Sequence, residues 1–295
     1  MRDAAFIAVD WGTTRLRTHL IARDGSILAS AAADTGVQSV PQGGFPDALR
    51  ACCGAWMAAH PGMPIVMAGM AGSRNGWVEA PYVRTPCGVA DLARAALALE
   101  IDGHPVRLVP GADIRWPDGS YDVMRGEETQ VLGLGPGSGL VCLPGTHSKW
   151  VEIAGGRIMR FATFVTGELY AAVTASFIAR LAETPETLQP GAAMGAQAAG
   201  MAGGLSRALF QARTRVLAGD LPGAGVKPFL SALLIADEVA SARKLFGGAG
   251  QVHLVAGEPQ AGIYAAAIRA HKCEVAMRDP QEAFLAGLGR VFAAG

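Results

Sequence analysis

The sequence has no surplus charge of either sign: 25 Lys+Arg stand against 25 Asp+Glu, for a formal net charge of +0. General binding to nucleic acid or to an acidic membrane draws on a basic excess, so neither partner is expected. Lysine is scarce, with four (149, 227, 244 and 272) in 295 residues. The five cysteines (Cys52, Cys53, Cys87, Cys142 and Cys273) are odd in number and form no C-x-x-C pair. They read as reduced, buried thiols of a cytoplasmic protein, which excludes a disulfide framework or a zinc site. Long apolar runs are missing as well. Residues 129–148 and 187–206 carry no formal charge, but Gly and Pro break both, so no membrane span is expected. The opening MRDAAFIAVDW has an acid at Asp3, a short apolar run and no A-x-A site, so no signal peptide is expected.

What is present is a large apolar fraction, 51%, with a mean hydropathy of +0.28. That supports a sizeable core and excludes a disordered chain. Gly (39) and Pro (17) are scattered without period, as in a turn-rich globular protein. The length suggests two domains.

The first thirty residues predict a three-strand meander. Phe6–Val9 is an apolar strand running into Asp10-Trp11-Gly12-Thr13-Thr14, residues 15–22 alternate, and Asp24-Gly25 turns the chain into a third strand. Phe45, Leu49, Cys52, Cys53 and Trp56 recur at helical spacing over 45–58. A buried strand over 64–68, a helix over 91–100, a strand over 106–109 and a helix over 127–134 follow. The run Gly133–Gly139 marks the boundary between domains 1–136 and 137–295, with the last helix allowed to pack back on the first. Beyond it the opening pattern returns: strand 140–143, turn Pro144-Gly145-Thr146-His147-Ser148, strand 149–153, hairpin Gly155-Gly156, strand 157–164. Gly12-Thr13 falls on Gly145-Thr146 at an offset of 133 residues, with the strands in matching order. A helix over 167–181, a small-residue stretch with further helices filling 192–218 and 228–246, helices over 260–270 and 281–294, and strands over 252–256 and 274–277 complete an α/β chain.

A Gly-Thr pair between strands can be only a turn, with Gly supplying a positive φ. Two such turns at the heads of equivalent sheets instead suggest paired donor arrays for a polyphosphate. Asp10 beside the first turn is then best explained by an intervening Mg²⁺. Lys149 adds a point charge, unless it is a surface lysine. Gly257 ends strand 252–256 before a helix, which suits close approach of a nucleoside; tight strand–helix packing would explain it equally.

The blocks AVDWGTTRLR (8–17), GMAGSRNGWVEAPYV (69–83), DVMRGEETQVLG (122–133) and CLPGTHSKWVEI (142–153), with FLSALLIADEV (229–239), resemble the 2-dehydro-3-deoxygalactonokinase family. That family lies within the sugar kinase/hexokinase/actin/Hsp70 superfamily, and the resemblance covers nearly the full chain. It implies two ribonuclease-H-like (actin-like ATPase) domains flanking an ATP cleft. The first would bind the sugar acid and hold the base; the second would bind nucleotide. It also implies ATP- and Mg²⁺-dependent phosphorylation of 2-dehydro-3-deoxy-D-galactonate at its terminal hydroxyl, in galactonate catabolism. Under the resemblance, Asp10 is the Mg²⁺-side carboxylate. Gly12, Thr13, Thr14 and Arg15 match the first phosphate motif. Gly145, Thr146, His147, Ser148 and Lys149 match the second, and Gly257 the adenosine motif. The chain departs from the superfamily at Leu143-Pro144, where many members carry an Asp, and at Ala256-Gly257, where Gly-Gly is common.

The superfamily places its catalytic base before a helix of the first domain, which here is Glu127 or Glu128; acid at a helix N-terminus has a dipole explanation too. The turn-rich loop after residue 68 holds Ser73, Arg74 and Trp77 as candidate substrate contacts. A guanidinium fork suits a carboxylate, with Arg74 first and Arg125 second, and either can instead be a plain exposed charge. His147 can meet a phosphate or brace its turn. The expected partners are ATP and a small sugar acid, and a homodimer is compatible with the sequence. Competing readings are a kinase for another sugar or 2-keto-3-deoxy sugar acid, and a non-catalytic actin-like nucleotide-binding protein.

Overall fold

Two meanders, each followed by parallel strands, organise the chain. The computed structural model describes residues 3–135, 137–183, 191–248 and 250–295. The expected boundary residue Pro136, and part of the uncharged 187–206 segment, lie outside them. In order come β1 (Ala4–Trp11), β2 (Leu16–Ala22), β3 (Ile27–Ala33), α1 (Phe45–Ala59), β4 (Ile65–Gly69) and β5 (Tyr82–Arg84). Then follow α2 (Val89–Ala95), β6 (Leu97–Ile101), β7 (His104–Leu108), β8 (Gly111–Arg115), β9 (Tyr121–Met124) and α3 (Glu127–Gly133). The repeat brings β10 (Gly139–Leu143), β11 (Ser148–Ala154), β12 (Arg157–Phe164), α4 (Thr166–Thr174), α5 (Ala192–Ala198) and α6 (Gly204–Leu217). Last are α7 (Val226–Phe246), β13 (Gln251–Val255), α8 (Gln260–Ala270), β14 (Glu274–Arg278) and α9 (Pro280–Ala294).

The large sheet has the order β3-β2-β1-β4-β7-β6, and the second has β12-β11-β10-β13-β14. β1 runs antiparallel to β2 and parallel to β4, and β4 runs parallel to β7. β10 and β13, then β13 and β14, are likewise parallel. Both sheets thus place third, second and first meander strands beside two parallel strands. This is the duplicated ribonuclease-H-like, actin-like α/β architecture.

The chain divides into two units. One comprises Met1–Ser138, Ile153–Phe161 and Pro280–Gly295; the other comprises Gly139–Glu152 and Ala162–Asp279. In the first, β4 is buried along its whole length, as parallel strands covered on both faces are. Phe45, Leu49, Cys53 and Met57 repeat every four residues and bury one stripe of α1, with Phe45 edge-on to Trp11 at 5.3 Å. α9 crosses α3 at backbone contact: a Cβ at Gly133 would stand against Ala283 O, and one at Gly287 against Thr129 O. That crossing anchors the helix whose first turn carries Glu127 and Glu128. In the second unit, α7 and α8 pack on β13 through Ile235, Val239, Leu254, Tyr264 and Ile268.

Two expectations are corrected. The helix over 91–100 stops at Ala95, and Leu97, Leu99 and Ile101 alternate along β6, paired antiparallel with β7. Ladder hydrogen bonds and inward leucines outweigh the helix propensity of the Ala/Leu run. The helix over 167–181 ends at Thr174, where Ser176 Oγ donates to Val173 O and accepts from Ile178 N. The segment 192–218 is filled, as expected, by more than one helix, with α6 beginning at Gly204 after Gly203, both at positive φ. A third sheet, β5-β8-β9, was not foreseen. Four of the five thiols are buried and Cys52 is half-buried. Among the described residues, no helix is long and apolar enough to cross a membrane.

Candidate functional site

The first turn follows β1. Gly12 N–H donates to Arg15 O at 2.8 Å, and the Gly12 and Thr13 carbonyls accept from Val37 and Gln38 N–H. Thr13, Thr14 and Arg15 are left exposed, with Arg15 paired to Asp34 at 2.9 Å. Asp10 Oδ2 accepts from Arg17 Nη1 at 2.8 Å. Burial pushes the Asp10 carboxyl up, against a downward pull from Arg17 and His19.

The second turn is braced more heavily. Thr146 O accepts from Glu168 N–H at 3.0 Å, and His147 Nε2 lies 2.5 Å from Glu168 Oε2. Lys149 is 4% exposed, so it is no surface lysine; its Nζ donates to His147 O at 3.1 Å from behind the turn. Ser148 is buried, its Oγ 3.0 Å from the Tyr264 hydroxyl. Gly145 opens onto a cavity of about 380 Å³ in the second unit. Its polar wall is Thr166, Tyr170, Lys227, Ser231, Gln260 and Tyr264, with Pro228, Ile235 and Ile263 among the apolar lining. The six polar residues were missed in the sequence, because α4, α7, α8 and their approaches supply them from distant stretches. The only signals were the scarcity of lysine and the 229–239 block.

The motif glycines are not explained by the fold. Gly12, Gly145 and Gly257 are absent from the positive-φ residues, so the plain turn reading of Gly12 loses its motive. A Cβ at Gly12 or Gly145 would make only ordinary contact, at 3.5 and 3.8 Å, and at Gly257 it would meet nothing within 4 Å. Tight strand–helix packing therefore does not require Gly257 either.

In the first unit, the two blocks expected to handle substrate meet. Gly69 (φ 94°) and Gly126 (φ 104°) both need the left-handed region, and a Cβ at Gly126 would lie 3.4 Å from Gly69 Cα. Arg125 Nη1 would lie 2.7 Å from a Cβ at Gly72. Its Nη2 donates to Ala80 O at 2.8 Å, and its guanidinium sits 4.4 Å over the Tyr82 ring. Arg125 Nε and Nη1 and the nearby Ser73 Oγ are buried without a hydrogen-bond partner among the described residues. Arg74 is exposed, and Trp77 is half-buried against the core of the first unit.

The two acids differ. Glu128 is fully buried; its Oε2 accepts from Gly126 N–H at 2.7 Å and its Oε1 from Thr129 Oγ1 at 2.9 Å. Burial, then the neighbouring Glu127 charge, push its carboxyl up to about 7. Glu127 is half-buried and accepts from Arg125 N–H at 3.0 Å.

Comparison with known proteins bears on this arrangement. The family model described as 2-keto-3-deoxy-galactonokinase matches residues 10–291. A Rhizobium meliloti (strain 1021) protein named a probable 2-dehydro-3-deoxygalactonokinase is 36% identical over 296 residues, covering 96% of this chain and 95% of its own. The 2-dehydro-3-deoxygalactonokinase of Escherichia coli (strain K12) is 35% identical over 294 residues, covering 97% and 96%. A crystal structure of a Sinorhizobium meliloti protein, described as a candidate 2-dehydro-3-deoxygalactonokinase, superposes with a TM-score of 0.87 at 35% identity, covering 98% of each chain.

Proposed function

The chain belongs to the 2-keto-3-deoxy-galactonokinase family, and on that premise we propose that it is an ATP-dependent kinase of the cytoplasm. It phosphorylates the terminal C6 hydroxyl of 2-dehydro-3-deoxy-D-galactonate to give 2-dehydro-3-deoxy-6-phospho-D-galactonate, in galactonate catabolism. The observation that carries the reading is the trio Gly12, Gly145 and Gly257. None is needed by backbone conformation or by packing, so each is best explained by the close approach of a ligand.

The second unit suits a nucleotide. A cavity of about 380 Å³ is within the range of small-molecule sites, and it opens at Gly145. Its apolar wall can cover a base while Lys227, Ser231 and Gln260 offer polar contacts. Backbone N–H groups and hydroxyls at Gly145–Thr146 and Gly12–Thr14 would take phosphate oxygens, with Lys149 adding charge behind the second turn. Among the described residues no group of three or more His, Cys, Asp or Glu could hold a metal. Mg²⁺ therefore fits as an ion held chiefly by phosphate and water, with Asp10 as the protein's carboxylate. When bound, Mg²⁺·ATP supplies the phosphoryl group and neutralises its charge.

The first unit supplies acceptor chemistry. Glu127 holds the C6 hydroxyl and takes its proton; Glu128, enclosed by Gly126 and Thr129, lacks the exposure to reach a substrate. Arg74 meets the substrate carboxylate as an exposed fork. Arg125, from the turn between β9 and α3, stacks on Tyr82 and donates to Ala80 O, and is the second candidate guanidinium. A coupled ADP assay across 2-keto-3-deoxy sugar acids and neutral sugars tests the assignment. Turnover greatest with the galactonate-derived acid supports it, and preference for another acid or sugar replaces the substrate while keeping the kinase.

A further inference from the structure

Glu238 lies in the 229–239 block, whose Ser231 and Ile235 line the cavity, but Glu238 itself does not line it. It sits on α7 and is 2% exposed. Trp150 Nε1 donates to its Oε1 and the Tyr264 hydroxyl to its Oε2, both at 2.8 Å. The Thr166 hydroxyl also hydrogen-bonds to it, and Ser148 Oγ donates to the Tyr264 oxygen at 3.0 Å, one step behind the carboxylate. Three neutral donors from β11, α4 and α8 thus converge on one carboxylate, with Ser148 held behind Tyr264, and among the described residues no cation pairs with it.

A buried carboxylate without a counter-ion is a costly way to fill a core, because an apolar residue of similar volume avoids its desolvation. Burial accordingly pushes the Glu238 carboxyl up, and its donors only partly offset this. What the group accomplishes is geometric. Ser148 belongs to the second turn, while Thr166 and Tyr264 line the cavity that opens at Gly145. One acceptor therefore fixes the Thr166 and Tyr264 hydroxyls directly and Ser148 through Tyr264, on three separate elements.

We propose that Glu238 is a positioning residue of the nucleotide site, holding the second turn and the cavity wall in one fixed geometry through Ser148, Thr166 and Tyr264. It touches no reacting atom. The inference rests on the nucleotide reading of this cavity. Glutamine in its place keeps the shape but turns an amide donor towards hydroxyl and indole donors, so at least one contact opens.

The test is calorimetric binding of ADP to the full chain, with steady-state KM for ATP and for the sugar acid. Glu238→Gln should raise the ADP Kd and the ATP KM about 10- to 100-fold, the scale on which misplaced groups act. The KM for the sugar acid should change less than about twofold. Trp150→Phe removes one donor without touching the cavity lining and should shift ADP binding in the same direction by a smaller factor. Unaltered ADP affinity in folded Glu238→Gln overturns the inference, as does an equal rise in both KM values. Should Glu238→Gln fail to fold, unaltered ADP affinity in Trp150→Phe overturns it. Absence of ADP binding by the wild-type chain removes the nucleotide reading and this inference together; intact wild-type binding with an unaffected variant removes the inference alone.

Discussion

Arg17 stands directly across the β1–β2 ladder from Asp10, and its Nη1 donates to Asp10 Oδ2 at 2.8 Å. A half-exposed guanidinium thus orients the carboxylate proposed to lie on the Mg²⁺ side. Asp10→Asn keeps a neutral acceptor for Arg17 but removes the charge. Turnover should fall by roughly two or more orders of magnitude with the fold intact. A Mg²⁺ titration of kcat, beside a thermal melt, checks this; unchanged Mg²⁺ dependence would make Asp10 structural.

Glu127→Gln should lower kcat by about 10²–10⁴-fold, the usual worth of a positioned base. Wild-type kcat in that variant would move the base elsewhere.

Glu128 should make stability depend on pH. Its carboxyl is raised from 4.5 to about 7, so within that window the folded chain keeps a proton that the unfolded chain has released. Stability therefore falls as pH rises from about 4.5 through about 7, by ~3 kcal/mol when complete. Glu128→Gln is neutral at every pH, and its amide can donate to Thr129 Oγ1 while its oxygen accepts from Gly126. Urea unfolding from pH 4.5 to 8 should show a flatter profile than wild type. Parallel profiles would mean that Glu128 does not titrate in this range.

Gly257→Val adds bulk where the protein itself has open space. Its stability should stay within about 0.5 kcal/mol of wild type, while its Kd for ATP rises about tenfold or more, ~1.4 kcal/mol. Intact ATP affinity would show that no ligand approaches this turn.

Arg74→Ala should lower kcat/KM for the sugar acid by about 2–5 kcal/mol, roughly 30- to several-thousand-fold, and leave ATP affinity nearly unchanged. Arg74→Lys should rescue only in part, since a point charge lacks the fork. Equal losses for the acid and for a neutral analogue would assign Arg74 to loop support.

Much of this architecture was legible because it is built from strong local signals. Asp24-Gly25 and Gly155-Gly156 mark hairpins, Phe45, Leu49, Cys52, Cys53 and Trp56 recur at helical spacing, and the offset of 133 residues aligns two meanders whose sheets share one strand order. The β5-β8-β9 sheet escaped notice because its strands are three to five residues long and carry little alternation. β6 escaped because Ala and Leu favour helix until a partner strand is present. The turns at Gly12 and Gly145 were visible as Gly-Thr pairs between strands, whereas the cavity wall was not: Tyr170, Lys227 and Gln260 meet only through the packing of helices far apart in sequence. Nor could spacing separate Glu127 from Glu128, since only tertiary burial distinguishes adjacent acids in one helical turn.

The most direct test of the central claim is a stoichiometric product analysis. The purified chain is incubated with Mg²⁺·ATP and 2-dehydro-3-deoxy-D-galactonate, ADP is quantified, and the sugar product is examined by phosphorus–proton correlation NMR. The account predicts one ADP per sugar phosphate, with phosphorus coupled to the C6 protons and no ADP formed without acceptor. ADP released without sugar phosphate, or phosphorus on any other carbon, would contradict it.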